Sequence, residues 1–297
     1  MSSPDPSPLY HLEPDRPELV EPVLVLAPEG WIDAGGAGGA ALSALASGLE
    51  TRVVATFDTD VLLDHRARRP SAQVTDGVYT DLTWPTIELL AGSDERARDV
   101  LLLVGPEPDY QWQAYAGAVS ELAGLLGVRL AVGLGAFPAP VPHTRAAPLA
   151  ATATTAELAN RVGVVTGTLE VPAGVLIVVQ QRCAAAGIPA LALWARVPYY
   201  AAAMPYPQAA LRLVEGLADV AGLELSVPDL AEAAAANAER LQELVANSVE
   251  HQALLRRLEA QVDAESEGGA PPTGFGELPS GDELAAELER FLRQQEE

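Results

Sequence analysis

Two carboxylates, Glu29 and Asp33, lie four residues apart in a turn between an apolar segment and a glycine-rich segment. Carboxylates at this spacing can serve as general acid and general base toward a bound molecule. Asp33 has a second explanation, because an aspartate before a helix accepts hydrogen bonds from its first N–H groups and acts as its N-cap. We favour the cap, and we predict no catalytic set.

The glycines that follow, Gly35, Gly36, Gly38 and Gly39, open a predicted helix rich in alanine and leucine. A strand that enters a helix through such a turn leaves free backbone N–H groups near the positive end of the helix dipole. The turn, which includes Trp31, is compatible with close packing of the helix, an anion or small-molecule site, or a partner-contact loop. The dinucleotide pattern G-x-G-x-x-G is only approximated, and the phosphate-loop pattern requires a lysine that the chain lacks.

The histidines are spread along the chain. His11, His65, His143 and His251 lie in four separate segments, without the spacing expected for a shared metal ion. We therefore predict no metal site and no cofactor. His143 is the best candidate for a binding role, because it shares a proline-rich loop with Arg145, although a solvated loop histidine is the simpler interpretation.

Composition argues against several classes of function. All 18 basic residues are arginine, so the chain has no lysine to form a Schiff base or to hold pyridoxal phosphate. The 41 acidic residues bring the net charge to −23, which opposes binding to nucleic acid and to anionic membrane surfaces. We find no signal peptide and no apolar run of about 20 residues, and we expect a cytoplasmic protein.

Apolar strands alternate with helices along most of the chain. Strands are predicted at 23–27, 52–57, 99–104, 128–134 and 190–194, with two further strands, 77–84 and 86–90, pairing with each other, and another strand at 162–166. Continuous apolar strands between helices are typical of a parallel sheet covered on both faces. We therefore predict an α/β fold with three layers, α/β/α, around a mostly parallel sheet.

Ligand sites in such folds lie beyond the carboxyl ends of the strands. The segments 29–33, 105–110, 135–145 and 196–200 are loops of this kind, and we expect them to converge on one crevice. The sequence therefore predicts that the candidate residues named above share one edge of the sheet.

Two other features have simple explanations. Cys183 lies within a predicted helix among alanines, where a buried apolar role is expected. Arg66, Arg68 and Arg69 form a basic cluster that is either a solvated face or a site for a phosphate or an acidic surface.

The domain organisation follows from changes in composition. We predict a disordered arm over 1–20, an α/β core over 21–226, and an acidic helical extension over 227–266, either one long helix or a helical hairpin. A linker over 267–281 and a short helix over 282–297 complete the chain. Residues 226–297 contain 16 acids and 5 arginines, which accounts for −11 of the net charge.

Two segments resemble a known family. Residues 30–37 (GWIDAGGA) and 187–217 (GIPALALWARVPYYAAAMPYPQAALRLVEGL) are similar to proteasome assembly chaperones of the subunit-two type, in an uncharacterised actinobacterial branch. The resemblance implies a three-layer fold similar to that of purine nucleoside phosphorylases, with an acidic helical C-terminal region. It also implies a homo-oligomer, such as a trimer, and proteasome subunits as partners.

Two functions are compatible with these features. The first is a non-enzymatic, homo-oligomeric protein-binding or assembly factor, with an apolar interface that includes Trp194, Pro198 and Tyr199 and the acidic helical extension. The second is an enzyme or sensor that binds a nucleoside-like or phosphorylated small molecule in the crevice, through residues 29–36, His143, Arg145 and Tyr199.

Overall fold

A computed structural model describes residues 9–267, apart from 31, 164–167 and 169. The linker and the C-terminal helix predicted after residue 267 lie outside these residues, as does most of the strand predicted at 162–166. Val162 belongs to a turn.

Ten strands and eight α-helices make up the described chain. The strands are β1 (Tyr10–Leu12), β2 (Val23–Leu26), β3 (Arg52–Phe57), β4 (Ser71–Thr75), β5 (Val78–Thr83), β6 (Glu88–Ser93), β7 (Asp99–Val104), β8 (Leu130–Ala139), β9 (Leu149–Ala153) and β10 (Ala190–Pro198). The helices are α1 (Ala37–Gly48), α2 (Thr59–Leu62), α3 (Trp112–Leu125), α4 (Ala156–Asn160), α5 (Val175–Ala185), α6 (Pro207–Ala221), α7 (Pro228–Ala246) and α8 (Val249–Glu267).

Eight strands form one mixed sheet, in the order β1-β3-β6-β7-β2-β8-β10-β9. Only the three central pairs, β7–β2, β2–β8 and β8–β10, are parallel. The prediction of a mostly parallel sheet is therefore wrong toward both edges. The reason at β6 is the connection of five residues to β7, which is long enough for an antiparallel turn and too short for a parallel crossover.

Helices cover both faces of this sheet, as predicted. Alternate side chains of each central strand point to opposite sides, so Val23 and Val25 pack with α1 and α6, whereas Leu24 and Leu26 pack with α3 and α5. Cys183 of α5 is fully buried in the second of these layers, which confirms its predicted apolar role. Burial on both faces explains why the central strands β2 and β8 are apolar at every position.

Strand pairing departs from the prediction between residues 71 and 93. β5 pairs with β4 in a separate two-stranded sheet, and β6 enters the main sheet between β3 and β7. The predicted pairing of 77–84 with 86–90 is therefore wrong. β6 takes the central position because it buries Leu89 and Ala91, whereas every residue of β4 and β5 is exposed.

The first residues of two predicted loops, 135–145 and 196–200, belong to strands. β8 continues to Ala139 and β10 to Pro198, and the two strands stay paired along this whole length. Within the arm predicted to be disordered, the described residues 10–12 form β1, which pairs with β3, and the N–H of Val20 donates to the Asp99 carboxylate at 2.7 Å. These contacts join segments distant in sequence, so local composition does not reveal them.

The two last helices are joined by only two residues and pack against each other. α7 packs on α6 and buries a stripe that consists of Leu230, Ala234, Asn237 and Leu241. The sequence predicts either one long helix or a helical hairpin for this region, and the structure has two helices. Among the described residues, no helix combines the length and apolar character needed to span a membrane.

A buried aspartate joins the β6–β7 turn to the end of α6. The Asp94 carboxylate accepts hydrogen bonds from the N–H groups of Arg96, Arg98 and Glu224 and from the Arg98 side chain, at 2.8–2.9 Å. Burial by itself raises the pKa of Asp94, but these hydrogen bonds outweigh it and lower the pKa to about 2. Asp94 therefore stabilises the folded state above the pKa of the unfolded chain, near 4, and loses this contribution as the pH falls toward 2.

Replacing Asp94 is expected to destabilise the protein. Asp94→Ala should lower the free energy of unfolding by about 2 kcal/mol, because three N–H groups lose their acceptor. Chemical denaturation at pH 7 measures this change, with Asp219→Ala on the exposed surface of α6 as a control within about 0.5 kcal/mol of the wild type. Equal stability of the two variants would contradict the assigned role.

Candidate functional site

The parallel strands β2, β7, β8 and β10 end on one side of the sheet, which we call the carboxyl edge. The loop after β2 is joined to the loop after β7, because the N–H of Glu107 donates to the Glu29 carbonyl at 3.0 Å. Asp33 pairs with Ala136 of β8 through an isolated bridge. Residues 29–33, 105–107 and the end of β8 are thus adjacent on this edge, as predicted.

The Asp33 side chain accepts hydrogen bonds from the glycine turn that follows it. One carboxylate oxygen accepts the N–H of Gly38 at 2.7 Å, and the other accepts the N–H of Gly39 at 3.0 Å. The N–H of Gly35 donates to the Ala202 carbonyl, and that of Gly36 to the Asp33 carbonyl. Asp33 therefore satisfies the first turn of α1, and the prediction of free N–H groups is wrong at these four glycines.

Close packing explains two of the glycines. Gly35 has a φ of +66°, and a Cβ atom there would lie 2.6 Å from Cβ of Tyr206. A Cβ on Gly38 would lie 2.8 Å from the carbonyl oxygen of Leu134. Gly36 also has a positive φ but faces open space, so its glycine serves the backbone conformation alone.

Burial raises the pKa of Asp33, and the nearby Glu29 carboxylate adds to this effect. The N–H groups of Gly39, Gly38 and Ala37 act in the opposite direction without cancelling it. Asp33 is therefore a partly buried carboxyl with a perturbed pKa at the carboxyl edge, a combination that is common at functional sites and also occurs at structural ones.

Glu107 is a third carboxylate at this edge that the sequence analysis did not single out. Its side chain accepts the N–H of Val175, the first residue of α5, at 2.6 Å, and it lies against Gly30 and Gly174. Glu107 could have been found from the sequence by its position in the predicted loop 105–110. Trp31 lies outside the described residues. Within the described part of the chain, no group of three or more His, Cys, Asp or Glu side chains could hold a metal ion.

His143 is buried, so its interpretation as a solvated loop histidine is wrong. Its backbone N–H donates to the Tyr200 hydroxyl at 2.9 Å, and its Nδ1 lies 2.8 Å from the same oxygen. Arg145 is exposed and binds Asp263 of α8 through two hydrogen bonds of 2.8–2.9 Å. These two residues therefore contact α7 and α8 rather than an open crevice.

The residues predicted for an apolar interface are mostly buried within the protomer. Trp194 is half-buried, lies against Gly135 and donates from its indole nitrogen to Thr152 at 3.0 Å. Pro198 is buried at the end of β10, and Tyr199 packs edge-on against Tyr200. The loop 199–206 connects the two groups of candidates, since it contacts both Gly35 and His143.

A family comparison matches residues 27–245 to the PAC2 family. The chain belongs to the PAC2 family. The match begins just before Glu29 and contains the glycine turn, the loop with His143 and most of α7, whereas α8 follows it.

Several solved structures resemble the chain over most of its length. A Mycobacterium tuberculosis protein of unknown function is 35% identical, with complete coverage of both chains and a TM-score of 0.81. A Corynebacterium glutamicum protein of unknown function is 31% identical over 88% of this chain and 99% of its own, with a TM-score of 0.81. A Mycobacterium tuberculosis proteasome-assembly chaperone homologue is 33% identical over 80% of this chain and 99% of its own, with a TM-score of 0.72. No curated protein matches the sequence.

The carboxyl edge of this PAC2 protein is closely packed where β2 and β7 end. The cavity there, between Pro28, Gly105 and Val175, has a volume of about 10 Å³, which is about enough for one water molecule. Two cavities of about 410 Å³ lie elsewhere, one at the β6–β7 turn and one between α6 and the start of α7. A ligand of nucleoside size does not fit the cavity between Pro28, Gly105 and Val175.

The role of Asp33 in closing α1 can be tested by removing its carboxylate. Asp33→Ala should lower the free energy of unfolding by about 1–2 kcal/mol, because the N–H groups of Gly38 and Gly39 lose their acceptors. Glu29→Ala removes the exposed carboxylate of the same turn and should change it by less than about 0.5 kcal/mol. Chemical denaturation of both variants compares them, and a stable Asp33→Ala protein would contradict the capping role.

Proposed function

We propose that this PAC2-family protein is a non-enzymatic, homo-oligomeric protein-binding or assembly factor that acts in the cytoplasm. Family membership supports the class of function, and one structural relative at 33% identity is described as a proteasome-assembly chaperone homologue. The main structural support for protein binding is the hairpin formed by β4 and β5.

The hairpin has one apolar face. Ala72 pairs with Leu82 and Val74 pairs with Tyr79, and a bulge in β5 lets Tyr79 and Leu82, three residues apart, share that face. The exposed fractions of Val74, Tyr79 and Leu82 are 54%, 79% and 51%. The opposite face carries Gln73 paired with Asp81 and Thr75 paired with Val78, so it holds a single apolar side chain among polar ones.

An isolated two-stranded hairpin is marginally stable in water, because it lacks a layer to cover its apolar side chains. A contiguous exposed apolar surface is typical of a protein interface. Four apolar side chains on one hairpin face therefore favour a protein partner at this surface, in addition to the intramolecular contacts at the base of the hairpin.

The basic residues beside the hairpin can contact acidic residues of a second copy of the chain, which we propose as one such partner. The exposed Arg66 and Arg69 lie just before the hairpin, whereas the protein as a whole carries a charge of −23. Acidic residues of a second copy can pair with these two arginines, whereas the net charge of each chain opposes association overall. Arg68 is already bound to Asp109 and serves the base of the hairpin instead.

The hairpin hypothesis predicts the effect of polar substitutions on the oligomer. A Tyr79→Ser/Leu82→Ser variant should have a lower mass by light scattering than the wild type, because the apolar face would no longer be covered by a second copy. Val78→Ser, on the other face, is the control and should keep the wild-type mass. Retention of the full mass by the double variant would place the interface elsewhere, and a monomeric wild type would reject the homo-oligomer.

Proteasome subunits are the proposed class of heterologous partner. We expect affinity capture with the wild-type protein to recover purified proteasome α or β subunits, detected by mass spectrometry. Repeating the capture with the Tyr79→Ser/Leu82→Ser variant tells whether the hairpin also carries this contact. Failure of the wild type to bind either subunit, under conditions where it is folded, would reject this partner.

The second candidate is the small-molecule function, for which the family resemblance implies a phosphorylase-like fold. The observation that favours it is the raised pKa of Asp33 next to Glu29 at the carboxyl edge. A nucleoside or phosphate ester that binds there at 100 times its Kd should stabilise the wild type by about 2.7 kcal/mol. Thermal-shift measurements should show no such gain for Asp33→Asn, and an equal gain in that variant would exclude this site.

A further inference from the structure

Helix α8 packs against the end of β8 and the loop that follows it. Val262 contacts the small apolar cluster of Phe137, Ala139 and Val141. Leu255 and Leu258, on the same helix, are buried as well. α8 therefore covers apolar side chains at the carboxyl edge that would otherwise contact water.

Polar contacts at the protein surface complete this docking. Arg145 binds Asp263 through its Nε and Nη2 atoms, and the hydroxyl of Thr144 donates to the Glu259 carboxylate at 2.6 Å. Ion pairs at exposed positions contribute little to stability, because solvent screens them. Changes in the loop 143–145, which makes these contacts, can therefore shift the docking equilibrium.

His143 lies directly beneath these contacts and is only 6% exposed. The Tyr200 hydroxyl faces its Nδ1 atom, Gln242 of α7 and Glu259 of α8 face the ring, and Arg145 is nearby in the same loop. Burial lowers the pKa of His143, and this effect exceeds the opposite influence of Gln242 and Glu259. In the docked protein, burial therefore favours the neutral imidazole, against the charge of Glu259 on α8.

We propose that α8 is an acid-released cover of the carboxyl edge, and that His143 is the group whose protonation releases it. The proposal is independent of whether the protein binds proteasome subunits. Release exposes Phe137, Val141 and Val262, and so would make an apolar surface available to a partner under mildly acidic conditions.

The direction of the effect follows from proton linkage. Release of α8 removes the part of the burial of His143 that this helix supplies, so the pKa of His143 moves toward its ordinary value, about 6.5. The docked state binds fewer protons, so docking is strongest above that pH and weakens as the pH falls below it. Between pH 7.5 and 5.5 the ratio of undocked to docked molecules should rise by up to about tenfold, the limit for a docked histidine that stays neutral.

The other titratable groups around His143 do not account for a change in this pH range. Burial, the largest influence, raises the pKa of Tyr200 to about 12. The hydrogen bond from Arg145 lowers the pKa of Asp263, which therefore remains ionised, and Asp263 in turn raises the pKa of Arg145. Glu259 faces His143 from α8 and opposes release, because its negative charge favours the protonated imidazole on the docked side.

Spin labels can measure the docking ratio directly. Ala146→Cys and Ala264→Cys place labels at exposed positions beside the Arg145–Asp263 contact, and the natural Cys183 is fully buried. The interlabel distance distribution should gain a long-distance population between pH 7.5 and 5.5 in the otherwise wild-type protein. His143→Gln should remove this pH response, whereas His251→Gln, which alters the histidine in α8 itself, should keep it.

Two results would overturn the proposal: a pH-independent distance distribution, or a pH response that persists in His143→Gln. If His143→Gln does not fold, the imidazole resonances of the wild type provide a second test. The pKa of His143 should then be lower than that of an exposed histidine in an unfolded reference peptide. A pKa equal to or higher than the reference value would equally reject the proposal.

Discussion

Backbone hydrogen bonds between β7, β2, β8 and β10 bring the ends of four parallel strands to one side of the sheet. Glu29, Asp33, His143 and Tyr199 are placed by that constraint, because each follows the end of one of these strands. Parallel pairing also requires layers on both faces. The helices α1 and α6 on one side and α3 and α5 on the other meet this requirement with alternate side chains of the same strands.

Two polar contacts at this edge differ in character because they differ in burial. Asp33 is partly buried and accepts hydrogen bonds from the N–H groups of Gly38 and Gly39. Loss of its carboxylate would leave these two donors without an acceptor. Arg145 binds Asp263 at the surface, where water can replace either partner. The first contact is therefore part of the fold, and the second is suited to an equilibrium between docked and released α8.

The distribution of apolar surface separates the two proposed functions. At the carboxyl edge the loops pack closely on one another, and the large side chains of the segment 194–204 are engaged within the protomer. On the hairpin, by contrast, apolar side chains share a face that no described part of the chain covers. Protein binding requires no rearrangement of the hairpin, whereas the cavity where β2 and β7 end is too small for a nucleoside.

Local patterns in the sequence determined the central strands, the helices that cover them, and the turn that Asp33 closes. These features depend on neighbours within a few residues, such as the run of apolar residues in β2 or the spacing of Asp33 from α1. The absence of lysine and the excess of acids likewise excluded classes of chemistry without any structure.

Only the tertiary structure decided the partners of β5 and β6, the antiparallel edges of the sheet, and the burial of His143 beneath α8. Pairing partners are chosen by the total apolar area that a strand buries, and that area depends on residues far away in the chain. The bulge that gathers Tyr79 and Leu82 on one face is a further example, because an alternating pattern alone places them on opposite faces. For His143, the sequence shows a polar loop, and the covering helix lies more than a hundred residues later.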